Sequence, residues 1–219
     1  RQRQMCIRDR LNSAIENKNH NLSSEEILSG KNLILFFEKN STRTRLSFDL
    51  AVKQLGGSSI ILNSSDIHLS SGKESLSDTI KTFGLYSDGV VMRVNNHQTI
   101  LDTIEVSNVP IINGLSDESH PCQVLTDLFS FEEAKGSISG KSVAWLGDGN
   151  NNMSNSLIEA AGKFDFKLKI GCPNKYKPNK RIMIWAKKNK ANVNKIIVDS
   201  NLSISDLNVL FFFQKFCHL

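Results

Sequence analysis

The sequence predicts an α/β protein: an N-terminal three-layer domain over a parallel sheet, then an incomplete second α/β domain. Three observations predict it. Short apolar runs of strand length recur at residues 31–37, 58–62, 89–94, 109–113, 142–146 and 166–170. Amphipathic stretches of helical period separate them, the pattern of βα units feeding a parallel sheet. A polar stretch with Gly136 and Gly140, residues 132–141, interrupts this alternation before it restarts, which gives domains at 11–135 and 136–219.

The first βα unit organises the chain. Residues 31–37 form the strand. Ser41, Thr42, Arg43, Thr44 and Arg45 follow, and Leu46, Leu50 and Leu55, widened by Phe48 and Val52, mark a helix that stops at Gly56 and Gly57. Ser41 is a natural N-cap and the glycines a C-terminal stop. A helix start leaves backbone N–H groups unsatisfied and carries partial positive charge. Three hydroxyls and two guanidiniums at that point describe a site for a dianion such as phosphate. The plainer alternative is a capped surface helix with solvated arginines.

Elsewhere the pattern is simpler. Residues 1–10 show no apolar period and read as extraneous to the domain, and 11–28 is weakly helical. The polar stretch 63–74, which holds His68 and Lys73, is long for a βα connection, and long loops are often functional. Ser75 and Asp78 open the next helix, with Leu76, Ile80, Phe83 and Leu85 as its stripe. Arg93 ends the strand 89–94, where α/β sheets gather ligand groups. A short helix leads to the strand 109–113. Pro121 then suits a first helical turn, with Val124, Leu125, Leu128 and Phe129 as its apolar face and with His120 and Gln123 at the junction.

After residue 141 come the strand 142–146, the tight loop G-D-G-N-N-N at 147–152, a helix over 153–164 and the strand 166–170. The loop lacks both G-x-G-x-x-G spacing and a Walker lysine. A helix at 182–186 and a strand at 195–198 follow. From residue 201 the register is hard to justify: 207–213 reads as a strand, and Phe211, Phe212, Phe213 and Phe216 crowd a terminus with nothing after them to cover it. The expectation is a chain that stops before its second domain is complete.

Composition narrows the function classes. Hydrophobic content of 39% and charged content of 22% are those of a globular protein. The net charge of +5 brings no basic run interleaved with aromatics, so a nucleic-acid surface is not expected. Lys187, Lys188 and Lys190 read as the wet face of a helix. Cys6, Cys122, Cys172 and Cys217 lie too far apart for C-x-x-C metal pairing. No signal peptide is recognisable and no apolar run approaches the roughly 20 residues that span a bilayer. A cytoplasmic location and no membrane partner are expected.

F-E-K-N-S-T-R-T-R at 37–45, M-R-V around Arg93, H-P-C-Q at 120–123 and G-D-G-N-N-N at 147–152 have the order and spacing of the ornithine carbamoyltransferases, which the chain resembles over about residues 22–200. S-T-R-T-R with H-P-x-Q marks the aspartate/ornithine carbamoyltransferase superfamily. F-E-K, the Cys of H-P-C-Q and the asparagine-rich loop before M-S-N-S favour ornithine. The resemblance implies that 11–135 binds carbamoyl phosphate and that 136–219 is part of an ornithine-binding domain. It implies that Ser41, Thr42, Arg43 and Thr44 hold the phosphate while Arg45 braces the loop. Arg93 would span phosphate and carbonyl oxygen, His120 and Thr44 would donate to that oxygen, and Gln123 would accept from the carbamoyl NH2. Pro121 and Cys122 complete the H-P-C-Q segment.

By the same resemblance, Asn152 holds the amino-acid substrate, with Asn151 as the alternative. The loop 63–73 reaches a neighbouring subunit's site in a homotrimer, making His68 and Lys73 further candidates. The implied reaction carbamoylates the δ-amine of ornithine, giving citrulline and phosphate in arginine metabolism, with no metal or organic cofactor. Two segments that family members carry further on, Asp-x-x-x-Ser-Met and His-Cys-Leu-Pro, do not occur here. The resemblance therefore implies a C-terminally truncated chain. Two alternatives remain: a carbamoyltransferase for aspartate or another amine, and an inactive fragment that keeps only carbamoyl phosphate binding.

Overall fold

A computed structural model describes residues 9, 12–14, 16, 27–67, 74–188, 196–199 and 209–213. The chain divides into two compact units, one over Glu16–Asp117 and the other from Glu118 onward. The expected boundary at 135/136 lies within the second of these units.

In the first unit the strands are β1 (Asn32–Phe37), β2 (Ser58–Asn63), β3 (Gly89–Arg93) and β4 (Ile111–Leu115), and the helices are α1 (Thr42–Gln54), α2 (Leu76–Tyr86) and α3 (His97–Val106). All strand pairs are parallel, in the order β2-β1-β3-β4. Five consecutive residues of β1 are buried, as a central strand covered on both faces requires. Its side chains alternate between two cores. Ile34 and Phe36 pack with Val90, Met92, Ile80, Phe83 and Ile100 beneath α2 and α3. Leu33, Leu35 and Phe37 pack with Val91 and Val52 beneath α1. Helix, sheet and helix make three layers.

Three local readings change. On α1 the buried edge is Phe48 and Val52, while Leu46 and Leu50 are 61% and 56% exposed. Phe48, Val52 and Leu55 keep helical spacing, so the helix turns that stripe inward in place of Leu46 and Leu50. On α2, Thr79, Ile80 and Phe83 are buried but Leu85 is 79% exposed. The fourth strand begins at Ile111, two residues later than expected. Ser107 folds back on Val109, donating to its carbonyl and accepting from its N–H, which makes a turn of that segment. The β3–β4 register also shifts between Met92 and Arg93. There Gly114 lets the strands close up: a Cβ would stand 3.2 Å from the Met92 carbonyl oxygen.

The second unit contains α4 (Pro121–Lys135), β5 (Ser142–Leu146), α5 (Asn152–Phe164), β6 (Lys167–Gly171), α6 (Lys180–Lys188), β7 (Ile196–Asp199) and β8 (Val209–Phe213). Its parallel sheet runs β7-β6-β5-β8. Val124 and Leu128 of α4 share one core with Ile138, Val143, Leu157 and Phe166, which is why α4 belongs to this unit. Leu125 is turned outward. Among the described residues no helix is long and apolar enough to cross a membrane.

Candidate functional site

In the first sheet the chain leaves β1 to one side to form β2, then returns across β1 to form β3. Connections leaving the carboxyl ends of β1 and β3 therefore diverge, and such a switch point is where open α/β sheets bind ligands. The residues 41–45 follow β1, and Arg93 ends β3.

The start of α1 is poorly satisfied. Ser41 occupies the N-cap with extended backbone, but its side chain makes no capping hydrogen bond, and the first turn holds no acidic residue. Arg43 and Arg45 are exposed there. The Arg93 Nη1 donates to Thr44 Oγ1 at 2.9 Å, joining the β3 guanidinium to the first turn of α1. The Arg93 Nε is buried and has no hydrogen-bond partner among the described residues. Burial pushes the Arg93 guanidinium below its ordinary pKa, although arginine stays charged in proteins. A cation at a helix N-terminus opposes the helix dipole, at about 0.3–1 kcal/mol. A bound oxyanion reverses that sign by accepting from the guanidinium and the N–H groups together.

The backbone around Arg93 is held rigidly. Glu38 N–H donates to the Arg93 carbonyl at 2.9 Å, and Asn95 N–H donates to Glu38 Oε2 at 2.7 Å. Glu38 stands inside F-E-K but outside the candidate site residues, because what it contributes is contact with the backbone on either side of Arg93.

In the second unit, His120 is the N-cap of α4 and Pro121 its first residue; the His120 side chain makes no capping bond. Its N–H donates to Ser156 Oγ at 2.8 Å. The Asn155 Nδ2 donates to the Glu118 carbonyl at 3.0 Å, and the Glu118 carboxylate pairs with Arg181. Gln123 is exposed and its Nε2 donates to Asp127 Oδ1 at 3.0 Å. Burial pushes the Cys122 thiol up, so it stays protonated near neutrality.

The asparagine loop is internally saturated. Asn151 Oδ1 accepts from Met153 N–H at 2.8 Å and Ser154 N–H at 3.0 Å, and Ser154 Oγ accepts from Asn151 N–H at 3.1 Å. The Asp148 carbonyl takes Asn151 Nδ2 at 2.5 Å and the Trp145 indole N–H at 2.9 Å. Gly149 allows the close approach: a Cβ would stand 2.8 Å from the Tyr176 carbonyl oxygen. Both ends of the Asn151 amide are thus committed to the cap, and Asn152 opens α5 half-buried. Arg93 and Thr44 are brought together, then, while His120, Gln123 and Asn152 sit at helix starts of the other unit. His68 and Lys73 lie outside the described residues, as do Cys6 and Cys217.

Together these features define a two-unit parallel α/β protein whose first sheet brings Arg93 to the start of α1 at a switch point. The family model "Aspartate/ornithine carbamoyltransferase, carbamoyl-P binding domain" matches residues 4–133, and "Aspartate/ornithine carbamoyltransferase, Asp/Orn binding domain" matches 139–212. The chain belongs to the aspartate/ornithine carbamoyltransferase family.

Among its relatives, the ornithine carbamoyltransferase of Rhizobium meliloti is 40% identical over 171 residues, covering 78% of this chain and 56% of the relative. That of Methanocaldococcus jannaschii is 45% identical over 170 residues, covering 78% and 55%. The solved structure of ornithine carbamoyltransferase from Pyrococcus furiosus superposes with a TM-score of 0.81 at 35% identity, covering 90% of this chain and 62% of that one. The anabolic enzyme from Campylobacter jejuni gives 0.80 at 39% identity, covering 90% and 64%. The chain spans about half the length of the curated relatives it matches.

Proposed function

We propose that the whole protein transfers the carbamoyl group of carbamoyl phosphate to the δ-amine of L-ornithine, giving L-citrulline and phosphate in arginine metabolism in the cytoplasm. The observation that carries the reading is the Arg93–Thr44 contact, which sets a half-buried guanidinium against an uncapped helix start. Names of relatives at 40–45% identity support ornithine as the acceptor.

In this reading Ser41, Thr42, Arg43 and Thr44 take the phosphate, with Arg45 bracing the loop. Arg93 bridges a phosphate oxygen and the carbonyl oxygen, and His120 and Thr44 donate to the latter. Gln123, next to Pro121 and Cys122, accepts from the carbamoyl NH2, and Asn152 holds ornithine. The neutral δ-amine attacks the carbonyl carbon, forming the C–N bond and placing negative charge on the carbonyl oxygen. The C–O bond to phosphate then breaks, its electron pair leaves with phosphate, and the departing phosphate takes up the proton that the amine gives up. Donors fixed on that oxyanion are worth about 2.7–4 kcal/mol each in comparable sites. Holding both substrates in contact supplies much of the remaining acceleration.

A homotrimer is proposed on the same resemblance, with carbamoyl phosphate binding assigned to 11–135 and ornithine binding to 136–219. Assay with carbamoyl phosphate and, in turn, ornithine, aspartate and putrescine tests the reading. Citrulline from ornithine alone is expected; carbamoylaspartate, carbamoylputrescine or no transfer would refute it.

A further inference from the structure

The turn from β3 into α3 is pinned at several points, and three of the pins come from the end of β4 and the segment after it. Val94 N–H donates to the Leu115 carbonyl at 2.9 Å. His97 N–H donates to Asp117 Oδ1 at 2.7 Å, and His97 Nδ1 lies 2.8 Å from Ser116 Oγ. Ser116 is fully buried. His97 is the first residue of α3, so its N–H has no acceptor inside the helix, and the Asp117 carboxylate supplies one. Asn96 serves Gln98 N–H next along, at 2.9 Å. Arg93 stands a few residues upstream of this junction and His120 a few residues downstream, so one cluster lies between two candidate site residues along the chain.

We propose that His97, Ser116 and Asp117 form a positioning cluster that fixes the turn carrying Arg93, and so holds its guanidinium against Thr44 in the geometry an oxyanion needs. This deepens the carbamoyl phosphate reading and rests on it for the identity of the ligand. The role assigned to the cluster is positioning, through the backbone and not through contact with reacting atoms. Asp117 has two separable properties. Its oxygen is an acceptor that orders the turn, which favours anion binding. Its charge lies in the unit that binds the anion and can only repel it. Removing the charge while keeping an acceptor, and removing both, therefore act with opposite signs. An incidental surface carboxylate would show only the repulsive effect.

The test is calorimetric titration of the full chain with carbamoyl phosphate, alongside amide hydrogen exchange over residues 94–97. Asp117→Ala is expected to weaken binding about tenfold, the scale of one lost charge-assisted hydrogen bond. Asp117→Asn, which keeps a carbonyl acceptor, is expected to bind within about twofold of the unsubstituted chain or more tightly. Exchange at 94–97 should accelerate in Asp117→Ala and not in Asp117→Asn, with β1 and α1 unchanged. The proposal is overturned if Asp117→Ala binds as tightly as the unsubstituted chain or tighter, or if exchange at 94–97 does not change. Should Asp117→Ala fail to fold, Ser116→Ala and His97→Ala take its place: accelerated exchange confined to 94–97 supports the cluster, and unaltered exchange overturns it. An unsubstituted chain that binds no carbamoyl phosphate refutes the ligand assignment, and the exchange pattern then decides the cluster alone.

Discussion

Both units place a helix start directly after a central strand, yet they finish it in opposite ways. At α5, Asn151 and Ser154 exchange capping bonds, and the Asp148 carbonyl gathers an indole N–H and an amide. At α1, Ser41 caps nothing, the first turn holds arginines, and Arg93 brings further positive charge. A helix start that satisfies itself has only stability to offer. One left open, with positive charge gathered at it, has donors to offer an anion, the role proposed for α1. The contrast lies in which donors each helix start leaves unanswered, and not in the presence of a glycine- or asparagine-rich loop.

The largest effects test whether the units have separate cores. Phe36 and Phe166 are both fully buried, one in each core. Each Phe→Ala change is expected to cost about 3–5 kcal/mol of the stability of its own unit. Amide exchange resolved by residue checks this; a loss spread evenly over both units would break the comparison.

Next in size is Arg93→Ala, expected to weaken oxyanion binding by about 1.5–3 kcal/mol, the worth of a hydrogen bond to a charged group. Thermal unfolding should move little, because a cation leaves the positive end of α1. Asn151→Ala is the mirror case: about 1 kcal/mol of stability lost with the cap, and oxyanion affinity unchanged. Denaturant unfolding and calorimetry on the two variants would sharpen the distinction, and an exchange of their phenotypes would sink it.

The smallest effects concern pH. In the first unit, hydrogen bonds from Lys31 and Asn32 hold the Asp88 carboxyl below its ordinary 3.8. Its contribution is present above 3.8 and disappears as pH falls through the lower folded value. Asp88→Asn should therefore reduce stability slightly at pH 7 and not near pH 2. In the second unit, burial raises Asp127 despite the hydrogen bond from Gln123. Its ionised form is disfavoured by folding, so Asp127→Asn should raise stability at pH 7, with the gain vanishing in acid. Unfolding curves of both variants across that range read the two signs.

Much of this was legible in the sequence because strands and caps are local. The run at 31–37 predicts a doubly covered strand, and β5 falls at 142–146 as expected. Ser75 accepts from Asp78 N–H as its spacing implied. Leu46 and Leu50 misled because two apolar stripes overlap on α1, and only packing against the sheet chooses between them. The grouping of α4 with the second core, through Val124 and Leu128, likewise depends on contacts made after the chain has folded. Of the candidate site, motif order pointed to Thr44 and Arg93, two side chains that the structure brings into contact. It did not identify Glu38, whose work is to bracket a backbone turn and which carries no chemical signature of that in the sequence.

Calorimetric titration of carbamoyl phosphate into the unsubstituted chain and into Arg93→Ala tests the open helix start most directly. Saturable binding, weakened at least tenfold by the substitution while the fold stays intact, is the predicted result. Equal affinity in the two proteins, or no binding to either, would contradict it.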